Sequence, residues 1–122
     1  MIKTITSALC LFLLLFAAAL PASAHHSASK FDFSIRDVKW EGTVKEFQAA
    51  NPHTRIVLEV KDDKGARDIS FEAHSLNNIY RNGWRPGEVK VGDKVTLITS
   101  PRKDGADGGY VLSVVLADGR KF

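Results

Sequence analysis

Apolar and polar residues alternate in two neighbouring runs, His53–Val60 and Arg67–Ala73, separated by the charged, glycine-containing segment Lys61–Ala66. A period of two marks a strand with one buried face. A four-residue turn at Asp62–Gly65 sets Lys61 opposite Ala66, so that the numbers of every cross-strand pair sum to 127. This register pairs Ile56 with Phe71 and Leu58 with Ile69 on the core face. On the other face it sets Arg55 against Glu72, an opposite-charge pair that favours the alignment. A slip of one residue would turn the core side chains to solvent. The same register places His53 directly across from His74.

The remaining elements follow from the pattern on either side of this hairpin. Val38–Phe47 reads as a first strand with Trp40 and Val44 on one face, and Gly42 suggests a bulge or sharp bend within it. Ala49–Pro52 is a turn, because the residue before a proline disfavours helix. Ser75 offers an N-cap for a short helix, Leu76–Asn82, with Leu76, Ile79 and Tyr80 on one stripe. Gly83 is its C′ residue, Pro86 stops the helix from resuming, and Trp84 is expected under the helix end. Gly92-Asp93 turns the chain into a fourth strand, Lys94–Ser100, and Pro101–Gly109 reads as a mobile loop. The fifth strand, Tyr110–Leu116, is expected to turn Tyr110, Leu112, Val114 and Leu116 to the core. Ala117–Phe122 closes the chain as a turn and tail. The order β-β-β-α-β-β predicts an all-β fold with one short helix: a small five-stranded, OB-fold-like barrel. An SH3-like barrel, the main competitor, would normally lack a helix at that point.

The first residues change the picture from fold to compartment. Lys3, the apolar run Ala8–Leu20 and Ala22-Ser23-Ala24 have the charge, length and small-x-small ending of a secretory signal. The run is too short for a confident membrane span. The predicted organisation is a signal peptide over 1–24, a polar arm over 25–37 and a barrel domain over 38–122. The arm carries Phe31, Phe33 and Ile35, by which it is expected to lie along the barrel. Cleavage leaves 98 of the 122 residues, beginning at His25, and removes Cys10, the single cysteine. Thiol catalysis and thiolate metal sites are thereby excluded. The formal net charge of +3 falls to +2 when Lys3 is lost, too small to imply a nucleic-acid partner. The expected location is periplasmic or secreted, with no membrane span after cleavage.

Several segments together are familiar: HHS after the cleavage site, NPH before the second strand, LNNIYRNGW, VKVGDKV and the terminal LADGRKF. They resemble a family of small exported bacterial proteins catalogued as a domain of unknown function (6152), over nearly the whole mature chain. The resemblance implies export and a small barrel, and brings no activity with it.

Chemistry rests on four histidines: His25, His26, His53 and His74. Cleavage after Ala24 exposes His25 as the N-terminal residue, whose amine and Nδ1 together chelate a metal. A second imidazole would complete a T-shaped three-nitrogen set resembling the histidine brace of copper proteins. Nitrogen donors in a tetragonal arrangement suit Cu(II). His26 offers an alternative amine–amide–imidazole chelate. Structural roles compete: the terminal pair as a polar start to the arm, and His53 and His74 as hydrogen-bonding residues at strand ends. The acidic turns Asp62–Gly65 and Asp104–Gly108 lack the full spacing of a calcium loop. No G-x-S-x-G elbow is present for a hydrolase. Arg81, Arg85, Arg102 and Lys103 form a candidate anion-binding patch on one rim.

The resulting expectation is an exported, non-catalytic binding protein that takes copper through its N-terminal and barrel histidines. The alternative is a periplasmic OB-like module for an envelope protein, a glycan or a small anionic ligand, using rim loops Gln48–Asn51 and Pro101–Gly109. A copper oxygenase is the third class.

Overall fold

The computed structural model describes residues 28–85 and 87–122. Five strands, β1 (Val38–Gln48), β2 (Thr54–Asp62), β3 (Gly65–Ala73), β4 (Lys94–Pro101) and β5 (Gly109–Leu116), form a closed barrel in the order β1-β2-β3-β5-β4. A short helix, α1 (Leu76–Arg81), lies between β3 and β4. The architecture is the expected five-stranded barrel with one short helix. The signal-peptide reading and His25 and His26 lie outside the described residues.

The hairpin register is the predicted one throughout, from Asp62 opposite Gly65 to Thr54 opposite Ala73. Ile56, Leu58, Ile69 and Phe71 are buried in the core. The charge partners differ from the prediction, however. Arg55 stands opposite Glu72 in the ladder, but its guanidinium reaches Glu46 on β1 at 3.0 Å and the Ser70 hydroxyl at 3.0 Å. Glu72 faces Lys30 of the arm at 3.8 Å. A long side chain on a twisted outer surface can take a diagonal partner in place of the one opposite. Such exposed pairs contribute little stability, so the register is held chiefly by the core pairs.

β1 serves two neighbours. Val38–Thr43 pairs with β4 and Thr43–Gln48 with β2. The expected irregularity falls between Val44 and Glu46, where the register with β2 shifts, instead of at Gly42. Gly42 has a different task. A Cβ there would lie 2.5 Å from the Glu59 carbonyl oxygen and 3.2 Å from the Leu58 Cβ. The bend that closes the barrel therefore depends on a residue without a side chain.

Helix α1 is capped as the sequence predicts. The Ser75 hydroxyl accepts from the Asn78 amide at 3.4 Å, and Gly83 (φ +87°) receives the chain beyond the cap Asn82. The Gly83 and Trp84 amides donate to the Tyr80 and Ile79 carbonyls, satisfying the last turn. Trp84 is buried and stacks between Phe47 (5.4 Å) and Phe122 (6.2 Å). The tail is more than a loose end: Val114 and Phe122 exchange two backbone hydrogen bonds of 2.9 Å. β3 ends at Ala73, so this stretch of β5 lacks a strand on that side, and the tail pairs its otherwise open backbone groups.

Along β5 the predicted alternation fails. The pairing with β4 passes from Ile98–Ser113 to Thr99–Val111, leaving Leu112 as an extra residue. The bulge reverses the faces before it. Val111 joins the core, Leu112 is only half-buried, and Tyr110 lies outside the core cluster although it is buried. Nothing in the local pattern Tyr-Val-Leu-Ser-Val-Val-Leu marks Leu112 as the bulged residue.

Candidate functional site

The two barrel histidines flank the same end of the hairpin. β2 begins at Thr54 and β3 ends at Ala73, so His53 and His74 lie one step beyond the last ladder pair. The Thr54 amide donates to the His74 carbonyl at 3.2 Å, which keeps the strand ends joined there. Both residues are half-buried, and His53 Nδ1 is shielded from solvent.

Tyr110, like Leu112, does not take the core-facing place that the alternation predicts. The bulge at Leu112 turns it out of the core, where it bridges to Glu72 in the parallel pairing of β3 with β5. Its hydroxyl lies 3.0 Å from His74 Nδ1, and the two rings meet edge-on at 5.2 Å. The one sequence signal for this placement is Gly108-Gly109. A Cβ on Gly108 would lie 2.7 Å from the Ser70 carbonyl oxygen, and one on Gly109 2.6 Å from that of Ser100. Only glycines let the start of β5 pass between β3 and β4 so closely.

The arm covers the exposed side of Tyr110. Phe31 packs edge-on against it at 5.5 Å and Phe33 at 5.2 Å. Phe31 is almost completely buried, whereas Phe33 and Ile35 remain exposed, so the arm is seated chiefly by its first aromatic. Its backbone is also tied: the Asp32 amide donates to the Pro101 carbonyl and the Lys103 amide to that of Lys30, each at 2.9 Å. The segment read as a mobile loop is pinned as well, by Arg102 on Asp104 and by Asp107 on Arg67. Arg102 is thus engaged by a carboxylate, which removes one cation from the suggested anion patch.

The environment acts on the ionisation of this cluster. Burial lowers the His74 pKa, and nearby Arg36 and His53 lower it further. Burial also raises that of Tyr110, with the Glu72 carboxylate adding to the effect. Both shifts favour the neutral forms. A neutral imidazole retains a lone pair for a metal or a hydrogen bond. The acidic turns serve as turns: Asp62 accepts from the Lys64 amide and Asp104 from the Ala106 amide. Among the described residues, no group of three or more His, Cys, Asp or Glu side chains is arranged to hold a metal ion. The barrel brings His53 and His74 to one end, while His25 and His26 lie outside the described residues.

A family model described as a family of unknown function, DUF6152, matches residues 13–111. The chain belongs to this family. No curated protein matches it. In this DUF6152 protein no described helix is long and apolar enough to cross a membrane.

Proposed function

We propose that this DUF6152 protein is an exported, non-catalytic binding protein of the periplasm or extracellular space. It holds copper through the mature N-terminal His25, with His26 nearby, and the barrel histidines His53 and His74. The observation that carries the reading is the course of the arm. Phe31 packs on Tyr110, and Tyr110 is hydrogen-bonded to His74. His25 precedes Phe31 by six residues. An extended chain of that length reaches roughly 20 Å, and the ring-to-ring steps from Phe31 to Tyr110 and on to His74 are 5.5 and 5.2 Å. A spacing of six residues from the seated Phe31 supports a site in which a chain beginning at His25 brings its amine to the barrel imidazoles. Those two supply fewer donors than a tight Cu(II) site uses. An N-terminal amine and its imidazole would supply the rest.

Intact mass of the exported protein after incubation with copper reports cleavage and metal together. The expected result is a chain starting at His25 that carries one copper ion. His53→Ala and His74→Ala should each weaken Cu(II) binding by more than tenfold, about 1.4 kcal/mol. One residue added before His25 should do the same by displacing the chelating amine. If only the arm binds, the barrel substitutions change nothing. If all variants retain wild-type affinity, the histidines are structural, and the reading passes to a module for a protein, glycan or small anionic ligand.

A further inference from the structure

A cavity of about 230 Å³ lies among the end of β1, helix α1 and the segment after it, lined chiefly by Phe47, Ala49, Ile79, Tyr80, Trp84 and Arg85. Its lining is graded by depth. Ile79 and Trp84 are buried at its floor, Phe47 and Tyr80 are half-buried walls, and Ala49 and Arg85 are exposed at its mouth. Three of these six residues carry aromatic rings, and those of Phe47 and Trp84 lie nearly parallel, at 21°. A cavity of about 150 Å³ with apolar walls takes up benzene, so this one has room for a single ring bearing a small polar group. The mouth carries a charge with nothing to balance it. Glu88, the acid closest to Arg85 in the sequence, is paired with Arg120, and the Arg85 guanidinium has no carboxylate partner among the described residues. The Trp84 Nε1–H is buried with no acceptor among the described residues, and native proteins rarely keep such a group unpaired without a purpose.

We propose that this cavity is a binding site for a small aromatic carboxylate, with its ring among Phe47, Tyr80 and Trp84 and its carboxylate on Arg85. Aromatic walls favour a flat ring through stacked and edge-on contacts. A guanidinium favours a carboxylate, whose two oxygens match its fork of N–H donors. A neutral ring would leave Arg85 unbalanced, and an acid without a ring would leave the aromatic floor uncovered. Both halves of the ligand therefore contribute. The site uses none of the four histidines, so it stands or falls apart from the copper reading.

The test titrates benzoate into the isotope-labelled exported protein at about pH 7, where a carboxylic acid of ordinary pKa is ionised. Proton–nitrogen correlation NMR follows the Trp84 indole and the backbone amides of Tyr80 and Arg85. These signals should shift together and saturate with a Kd on the order of a millimolar or tighter, while amides of β3 such as Ile69 stay in place. Benzyl alcohol, which lacks the charge, and acetate, which lacks the ring, should each bind roughly tenfold more weakly or worse. Arg85→Gln should weaken benzoate by about tenfold and leave benzyl alcohol unaltered. Ala49→Phe, a change at the exposed mouth, should block both. The absence of a saturable shift at the Trp84 indole overturns the proposal, as does benzoate binding no tighter than benzyl alcohol or acetate. Benzoate affinity unaltered by Arg85→Gln or by Ala49→Phe overturns it equally. If a variant fails to fold, the ranking of the three compounds on the wild type decides. A protein that takes up no copper refutes the copper reading and leaves this ranking as it was.

Discussion

Removing the Phe31 side chain should release the arm without unfolding the barrel. Phe31 is 3% exposed, yet it lies outside the main core cluster, packing on Tyr110 and Phe33 at 5.5 and 6.2 Å. Full burial of such a ring is worth about 1.5–3 kcal/mol, and each aromatic pair adds roughly 0.5–1.5 kcal/mol. Phe31→Ala should therefore cost the docked arm about 2–4 kcal/mol, with the Phe33–Tyr110 contact left to retain part of the docking. Backbone amides report this directly. Those of Asp32 and Lys103 form the two hydrogen bonds between arm and barrel end. At about 1.4 kcal/mol per tenfold, their hydrogen-exchange protection should fall by roughly thirtyfold to several hundredfold, or to the level of a free amide. Amides of the central strands, such as Leu58, should keep most of their protection, because local opening need not involve the core. On the proposed copper reading, Cu(II) affinity should weaken too, since an undocked arm lowers the effective concentration of the N-terminal donors. Unchanged protection at Asp32 and Lys103 would refute the reasoning and show that the backbone hydrogen bonds hold the arm without the ring.

The other predictions concern the closure of the barrel and its pH dependence. Gly42→Ala puts a Cβ 2.5 Å from the Glu59 carbonyl oxygen, backbone that cannot swing aside, and should destabilise by about 1–3 kcal/mol. For a domain of this size that lowers Tm by roughly 4–8 °C per kcal/mol; a wild-type melting curve would rule out the tight closure at β1. His74 has a folded-state pKa below its ordinary 6.5, so the unfolded chain takes up this proton first as pH falls. The His74 contribution is complete above pH 6.5 and is lost progressively below it, toward the lower folded-state value. Urea midpoints at about pH 7.5 and about pH 5 should therefore differ less in His74→Gln than in the wild type, and an equal difference would remove His74 from the acid sensitivity.

Where local pattern and tertiary packing agree, the sequence alone was sufficient. The hairpin register follows from Ile56–Phe71 and Leu58–Ile69, because a slip of one residue would expose core side chains, and the structure has it residue for residue. The helix ends follow from Ser75 and Gly83, whose capping chemistry acts within a few residues of the chain. The approximate location of His53 and His74 was legible for the same reason, as both continue the hairpin by a single step. The actual partner of Arg55 was not, because a surface side chain chooses among neighbours that only the twisted sheet brings near. Tyr110 was likewise beyond reach of the pattern. Its strand looks like a plain alternation, and the bulge that turns it toward His74 arises where β5 must fit both β4 and the end of β3. Arm seating depends on that same turn, since Phe31 has a ring to pack against only after Tyr110 has left the core. Local sequence determined which segments become strands and helix; closure of the barrel decided which face Tyr110 takes, because a closed sheet must satisfy pairings that no single segment contains.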